Sequence, residues 1–250
     1  MQKYTYIIFD LVGVIFTLNK YQLFRTIGIV HILWYMITHF KNPLITCFSL
    51  LRIMYDEQKQ SERPLIFYKN IPLPDCISAF MLGDMSHEEV LQKIHTFLDR
   101  KDMEGYFSSA YEKHIITELI DTLFDSTKTT QFIYPVNTTI DIIKKLKQHG
   151  FQIILLSNLD TTSYQLLNHL FPKVFALFND HIISAQVKLL KPYKEIFFYV
   201  LKKYAISAQE CLFIDDQKEN VIAARSIGID SILFRSADQL IQELRKRQIL

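Results

Sequence analysis

A chain of 250 residues has room for one large domain, or for a core with a smaller module attached. Its composition, 49% hydrophobic and 22% charged, is that of a globular protein, and a formal net charge of +2 gives no case for a nucleic-acid partner, whose phosphates are met by clustered Lys and Arg. Cys47, Cys76 and Cys211 are odd in number, far apart and free of any Cys-x-x-Cys, which speaks against a disulfide framework or a zinc site and for a reducing, cytoplasmic setting.

The first strand is expected almost at once, with no signal peptide before it. Tyr6-Ile7-Ile8-Phe9 is an apolar run without alternation, the pattern of a parallel strand buried on both faces. It stops at Asp10, followed by Leu11-Val12-Gly13. A carboxylate at the end of such a strand faces the crevice where open α/β sheets bind ligands. Gly13 allows a sharp turn that brings backbone N–H groups close to a bound group. Asp10 is therefore the first candidate for chemistry, against the plainer reading of an N-cap or Asx-turn.

Residues 17 to about 130 show no strand–helix alternation. They read as helices, broken at Asn42-Pro43, Arg63-Pro64 and the Pro72/Pro74 pair. Between Arg25 and Arg52 the one formal charge is Lys41, so Ile27–Phe40 raises the question of a membrane. A spanning helix needs roughly 20 apolar residues. His31, His39, Lys41 and Asn42-Pro43 interrupt this run too early. Buried helices of a small domain are the favoured expectation, with an interfacial or partner-binding helix as the second. Ser86, with Glu89 three residues on, marks a capped helix start. Phe97, Tyr106, Phe107 and Tyr111 read as core packing.

From Asn137 strands and helices alternate. Thr138–His149 is an amphipathic helix stopped by Gly150. Phe151–Leu156 reads as a strand ending in Ser157-Asn158, Thr162–Phe171 as a helix and Val174–Phe178 as a short strand. Pro192–Tyr204 is expected to be a helix opened by proline. Cys211–Ile214 reads as a strand ending in Asp215-Asp216, Asn220–Ile227 as a helix closed by Gly228, and Ser231–Phe234 as a last strand before a basic helix. Such alternation predicts right-handed crossovers and a parallel sheet. Asp10, Ser157-Asn158 and Asp215-Asp216 then share one edge of that sheet, and Lys191-Pro192 lies in the same half of the chain.

With these pieces together the sequence resembles the haloacid dehalogenase-like hydrolase superfamily. FDLVGVIF, LLSNLD, KPYKEIF and CLFIDDQKENVIAARSIGI carry the resemblance, which is close over Asn137–Leu233, good over Tyr4–Phe16 and vague between. It implies an α/β fold with a Rossmann-like parallel sheet core at residues 1–16 and 131–250, and an all-helical cap at 17–130. It also implies a Mg²⁺-dependent phosphatase acting on a small phosphorylated molecule. In that scheme Asp10 is the nucleophile that forms an aspartyl-phosphate. Ser157 and Asn158 meet the substrate, and Lys191 offsets charge on nucleophile and phosphate. Asp10, the backbone carbonyl of Val12 and Asp215 hold the metal, an all-oxygen set of the kind Mg²⁺ takes. Asp216 is an outer ligand or orients Lys191, and Asn220 braces the loop or caps the helix. Lys188 is a second lysine near the third motif, but the pairing with Pro192 favours Lys191.

The sequence departs from the family at one position. Its phosphatases usually carry a second aspartate two residues after the nucleophile, to protonate the leaving alcohol and then deprotonate water, where this chain has Val12. General acid–base help is typically worth 10²–10⁴-fold. Three readings follow: a phosphatase limited to good leaving groups or borrowing an acid from the cap (His31, His39, Asp84 or His87); a catalytically silent binding protein; and a dehalogenase, for which Arg25 is the nearby arginine that would hold the halide.

Overall fold

The computed structural model describes residues 3–58, 66–68 and 71–250. The Arg63-Pro64 break lies outside the described residues. In chain order, β1 (Tyr6–Phe9) and β2 (Phe16–Leu18) lead into α1 (Lys20–Ile27), α2 (Ile29–His39) and α3 (Pro43–Glu57). A pair of two-residue strands, β3 (Phe67–Tyr68) and β4 (Ile71–Pro72), is followed by α4 (Asp75–Met81), α5 (His87–Met103), α6 (Ala110–Phe124) and α7 (Ser126–Thr129). The chain then runs through β5 (Ile133–Pro135), α8 (Asn137–Gln148), β6 (Gln152–Ser157), α9 (Thr161–Leu170), α10 (Pro172–Phe175), β7 (Asp180–Ile183), α11 (Ser184–Val187) and α12 (Lys194–Tyr204). It closes with β8 (Cys211–Asp215), α13 (Lys218–Ser226), β9 (Asp230–Leu233) and α14 (Ala237–Lys246).

Five strands form a parallel sheet in the order β7-β6-β1-β8-β9. Its central strands alternate between two apolar layers. Ile7, Phe9, Ile153, Leu155, Leu212 and Ile214 belong to one, packed under α8 and α14 through Ile143, Leu146, Leu240 and Leu244. Ile8, Ile154, Leu156 and Phe213 belong to the other, covered by α12 and α13 through Ile196, Phe197, Val200 and Ala224. Burial on both faces is why these strands read as unbroken hydrophobic runs.

The long insert after β2 has its own hydrophobic cluster, which includes Leu23, Leu50, Ile77, Ile94, Ile116 and Leu119. Among the described residues its regular elements are helices apart from the short strands β3 and β4, so the insert is not all-helical. The chain leaves the sheet region on β2 and returns on β5, and these two strands pair antiparallel, with Thr17 opposite Tyr134. Local signals act as their chemistry predicts. Asn42 accepts from the Leu44 N–H and Pro43 opens α3. Ser86 and Glu89 form a reciprocal capping box at the start of α5.

Three further expectations need correction. Val174–Phe178 is not a strand: Pro172 begins the short helix α10, and the strand is Asp180–Ile183. A short apolar run does not distinguish strand from helix, and here Phe175 turns inward against Phe16 and Tyr164. The sheet's edge instead tolerates polar residues: Asp180 accepts from Tyr204, and His181 lies against the Tyr164 hydroxyl. Second, Pro192 does not open its helix. The Lys191-Pro192 peptide is cis, and α12 begins two residues later at Lys194. Third, the apolar run Ile27–Phe40 is not a buried helix. Within α2 only Ile32 and Tyr35 are buried, and most of its large apolar side chains face outward.

Candidate active site

The site grows from the parallel register. Phe9 stands opposite Leu155 of β6 and Ile214 of β8, so the residues after it emerge beside the ends of both neighbours. The Asp10 N–H donates to the Ile214 carbonyl at 2.9 Å, which fixes Asp10 beside Asp215. Ser157 ends β6 at the same edge and is buried.

Lys191 ties the strands together. Its ammonium donates to Asp10 Oδ1 at 2.7 Å, to Asp215 Oδ2 at 2.7 Å and to the Leu156 carbonyl at 2.9 Å, which uses all three of its protons. The Phe213 ring lies 5.6 Å from Nζ, centroid to atom. Asn158 positions this lysine from the backbone: its amide donates to the Lys191 carbonyl at 2.8 Å and its oxygen accepts from the Lys191 N–H at 2.9 Å. Asn158 thus acts on Lys191 in this arrangement.

Asp215 is wholly buried and braced twice more. Asn220 Nδ2 donates to both of its carboxylate oxygens at 3.0 Å, and the Gln217 N–H donates to Oδ1 at 2.8 Å. The residue before α13 is Gln217, whose side chain makes no cap, so Asn220 is a loop brace and not a helix cap. Asp216 follows with its carboxylate packed on Gly13: a Cβ there would lie 2.4 Å from Oδ2. Gly13 has φ +98, a conformation L side chains rarely adopt, so the turn after the candidate nucleophile needs glycine for two separate reasons.

One carboxylate oxygen each from Asp10, Asp215 and Asp216 lie within 4.8 Å of one another. Lys191 neutralises one of the three negative charges. Burial raises the Asp10 carboxyl to about 7; the Lys191 ammonium works against this, while Asp215 and Asp216 add to it. Burial opposes the charge on Lys191, but Asp10 and Asp215 outweigh it and hold the ammonium above its ordinary value. Such a cluster, all oxygen and short of positive charge, fits a hard divalent cation.

Val12 is 37% exposed, between the buried Leu11 and the Gly13 turn. The Gly13 N–H donates to the Phe16 carbonyl at 2.7 Å and the Phe16 N–H to the Leu11 carbonyl at 2.9 Å; neither bond uses the Val12 carbonyl.

The insert's candidate acids are engaged elsewhere. His31 pairs with Tyr111, His39 with Ser108 and Glu112, and His87 with Glu88. Asp84 accepts from Lys188, which also donates to the Leu82 carbonyl at 2.6 Å, so Lys188 joins α4 to the segment after α11 and is not in the Lys191 cluster. Arg25 is exposed on α1. Sequence reasoning missed two anchors. Asp160 caps α9 through the Ser163 N–H and receives the Ser126 hydroxyl, and Ser184 receives the Leu159 N–H. Asp160, in the N-cap position before a helix, carried a legible signal; Ser184 carried none.

The molecule is thus an α/β protein with a carboxylate–lysine cluster at the carboxyl edge of a parallel sheet. The haloacid dehalogenase-like hydrolase family model matches residues 4–228, and the protein belongs to that family. It is similar to a sesquiterpene phosphatase of Aspergillus oryzae, 29% identical over 119 residues, covering 48% of this chain and 60% of the relative. It is also similar to a drimenol cyclase of Aspergillus calidoustus, 26% identical over 189 residues, covering 72% of this chain and 34% of that one. The matches therefore span less than two thirds of the length of these curated relatives. Among solved structures, the fold is similar to a haloacid dehalogenase family enzyme of Bacteroides thetaiotaomicron in complex with magnesium and inorganic phosphate. That match has a TM-score of 0.54 and 19% identity, and covers 93% of this chain and 94% of the other. A predicted haloacid dehalogenase-like family hydrolase of Porphyromonas gingivalis matches with a TM-score of 0.55 and 18% identity, over 98% of each chain.

Proposed function

We propose that this hydrolase is a Mg²⁺-dependent phosphatase of small phosphorylated molecules that works through an aspartyl-phosphate on Asp10. Residues 1–16 and 131–250 form its core in this reading, and residues 17–130 the cap over the sheet edge. The observation that carries it is the Lys191 ammonium bonded at 2.7 Å to both Asp10 and Asp215, with Asp216 completing an all-oxygen cluster. A phosphatase relative and a neighbour crystallised with magnesium and phosphate support the same direction.

Asp10 attacks phosphorus, the ester oxygen departs, and water then hydrolyses the acyl phosphate and restores the carboxylate. Lys191 keeps the attacking carboxylate aligned and offsets phosphoryl charge. Ser157 donates its hydroxyl to a phosphoryl oxygen, and Asn158 supports the substrate site by fixing Lys191. Asp10, the Val12 carbonyl and Asp215 would hold Mg²⁺, with Asp216 as outer partner. When bound, the ion supplies positive charge between nucleophile and phosphate. Asn220 keeps Asp215 turned toward the site.

Val12 has no proton to give, so the leaving group departs unassisted. The enzyme is then selective for good leaving groups, such as aryl or acyl phosphates. The second reading, a silent phosphate-binding protein, draws on this one side chain. The dehalogenase reading gains nothing from the site, because a three-carboxylate cluster suits a cation and Arg25 lies on an exposed helix.

Hydrolysis of an aryl phosphate, assayed with Mg²⁺, with EDTA and in Asp10→Asn, tests the proposal. Metal-dependent turnover abolished by the substitution is expected. Absence of turnover with any divalent metal, alongside intact phosphate binding, would move the protein to the silent class. Val12→Asp is expected to extend turnover to alkyl phosphates.

A further inference from the structure

The helix α2 carries the largest feature that the catalytic reading leaves unused. Its inner side is fastened to the rest of the insert. Ile32 and Tyr35 are buried, the Tyr35 hydroxyl meets Thr46 and Glu112, the Tyr111 hydroxyl donates to the His31 carbonyl, and His39 meets Ser108. Apart from His31 and Thr38, every exposed position of the helix and its C-cap is a large apolar residue. Val30 is 73% exposed, Trp34 58% and Phe40 92%, and Ile29, Leu33, Met36 and Ile37 are exposed alongside them. At 3.6 residues per turn these seven fall on one broad outer arc, opposite the buried Ile32 and Tyr35. Ile45 is exposed just beyond, at the start of α3. The apolar surface is on the order of several hundred Å², as large as the patches that mark interaction sites on monomers.

Charge decides the occupant. Between Asp10 and Asp56 the chain has no Asp or Glu at all, while Lys20, Arg25 and Lys41 are exposed; Arg52, also exposed, pairs with Asp56 at 3.9 Å. Glu112, the acid packed against the inner side of α2, is buried and bonded to Ser108. A protein partner with a matching apolar groove would not require a run of sequence around the helix whose charges unpaired among the described residues, Lys20, Arg25 and Lys41, are all positive. An anionic lipid surface would: apolar and aromatic residues enter the acyl boundary and Lys and Arg stay among the head groups. No helix among the described residues is long and apolar enough to cross a membrane, so the mode is peripheral. We propose that α2 docks the protein on anionic lipid bilayers, with Val30, Leu33, Trp34, Ile37 and Phe40 inserted and Lys20, Arg25 and Lys41 at the head groups. This stands independently of the phosphatase reading, since it rests on no residue of the carboxylate cluster.

Trp34 is the one tryptophan of the chain and therefore an internal probe. The full chain is mixed with phosphatidylcholine vesicles, with and without phosphatidylserine, and followed by co-sedimentation and by Trp34 emission. Binding to the phosphatidylserine vesicles, a blue shift and quenching by brominated acyl chains are expected. Val30→Ser/Ile37→Ser should lower partitioning on the order of tenfold with an unchanged circular dichroism spectrum, since both residues are exposed. Lys20→Glu/Lys41→Glu should weaken binding to the anionic vesicles selectively. A chain that stays in the supernatant with unmoved emission overturns the proposal. So does undiminished binding by Val30→Ser/Ile37→Ser. A blue shift that grows with protein concentration without lipid, alongside a dimer in sedimentation velocity, would assign the face to a second copy instead.

Discussion

The carboxylate of Asp216 occupies the place where residue 13 would carry its Cβ: an added carbon at Gly13 would sit 2.4 Å from Oδ2. Two loops, one after β1 and one after β8, thereby come into close contact. Gly13→Ala must change its φ of +98 and displace Asp216 at once. A loss of about 1–3 kcal/mol in stability is expected, read by denaturant unfolding, together with weaker Mg²⁺ binding. A variant as stable as the parent would show that the two loops are free to part.

Asn220 holds both oxygens of a carboxylate that has no exposed surface. On the proposed reading of Asp215 as a Mg²⁺ ligand, Asn220→Ala should weaken Mg²⁺ binding by about 10- to 100-fold, the usual effect of removing a partner that orients such a ligand. Titration calorimetry with Mg²⁺ alone reads this without reference to turnover. Unchanged affinity would confine Asn220 to folding.

Ser184 is a buried clasp between the insert and the sheet. Its hydroxyl accepts from the Leu159 N–H at 2.9 Å and donates to the Met81 carbonyl at 2.6 Å. Ser184→Ala leaves both backbone groups short of a partner, at about 1–3 kcal/mol. The expected signs are a lower melting temperature and faster hydrogen exchange through Leu82–Asp84. Protection that does not change would show that Lys188, donating to the Leu82 carbonyl, suffices to hold α4.

Asp230 gathers Tyr4, Arg247 and the edge strand β9. Burial opposes its charge, but hydrogen bonds from Arg247 and Tyr4 outweigh this and hold its carboxyl below the usual range. A group with a depressed folded-state pKa stabilises the protein above its unfolded value of about 3.9 and loses that contribution as pH falls through the folded value. Asp230→Asn should therefore cost up to about 1 kcal/mol at pH 7, the site being partly exposed. The gap from the parent should close as pH falls through the depressed folded-state value. Melting curves across this range check it, and a gap that widens in acid would contradict the assignment.

The residues themselves announced much of the site. Asp10, Ser157 and Asp215 each stand where an apolar run turns polar, and parallel strands must bring such ends to one edge. Gly13 and the capping box at Ser86 and Glu89 are legible for the same reason, because their chemistry acts within a few residues. The geometry around Lys191 is different in kind. That its ammonium lies between Asp10 and Asp215, that Asn158 grips its backbone and that Asn220 clamps Asp215 are relations across many residues, set by sheet order and loop packing.

Two of the misread stretches share a cause. Val174–Phe178 and Ile27–Phe40 are both apolar enough that periodicity fades, and hydrophobicity alone states neither the conformation nor which side meets the protein. Sequence determined what each strand end could do chemically, because side-chain type and local turn preference are properties of the chain. Tertiary structure decided which ends meet and which apolar face of α2 is left outward, because burial is a property of neighbours and not of the residue itself.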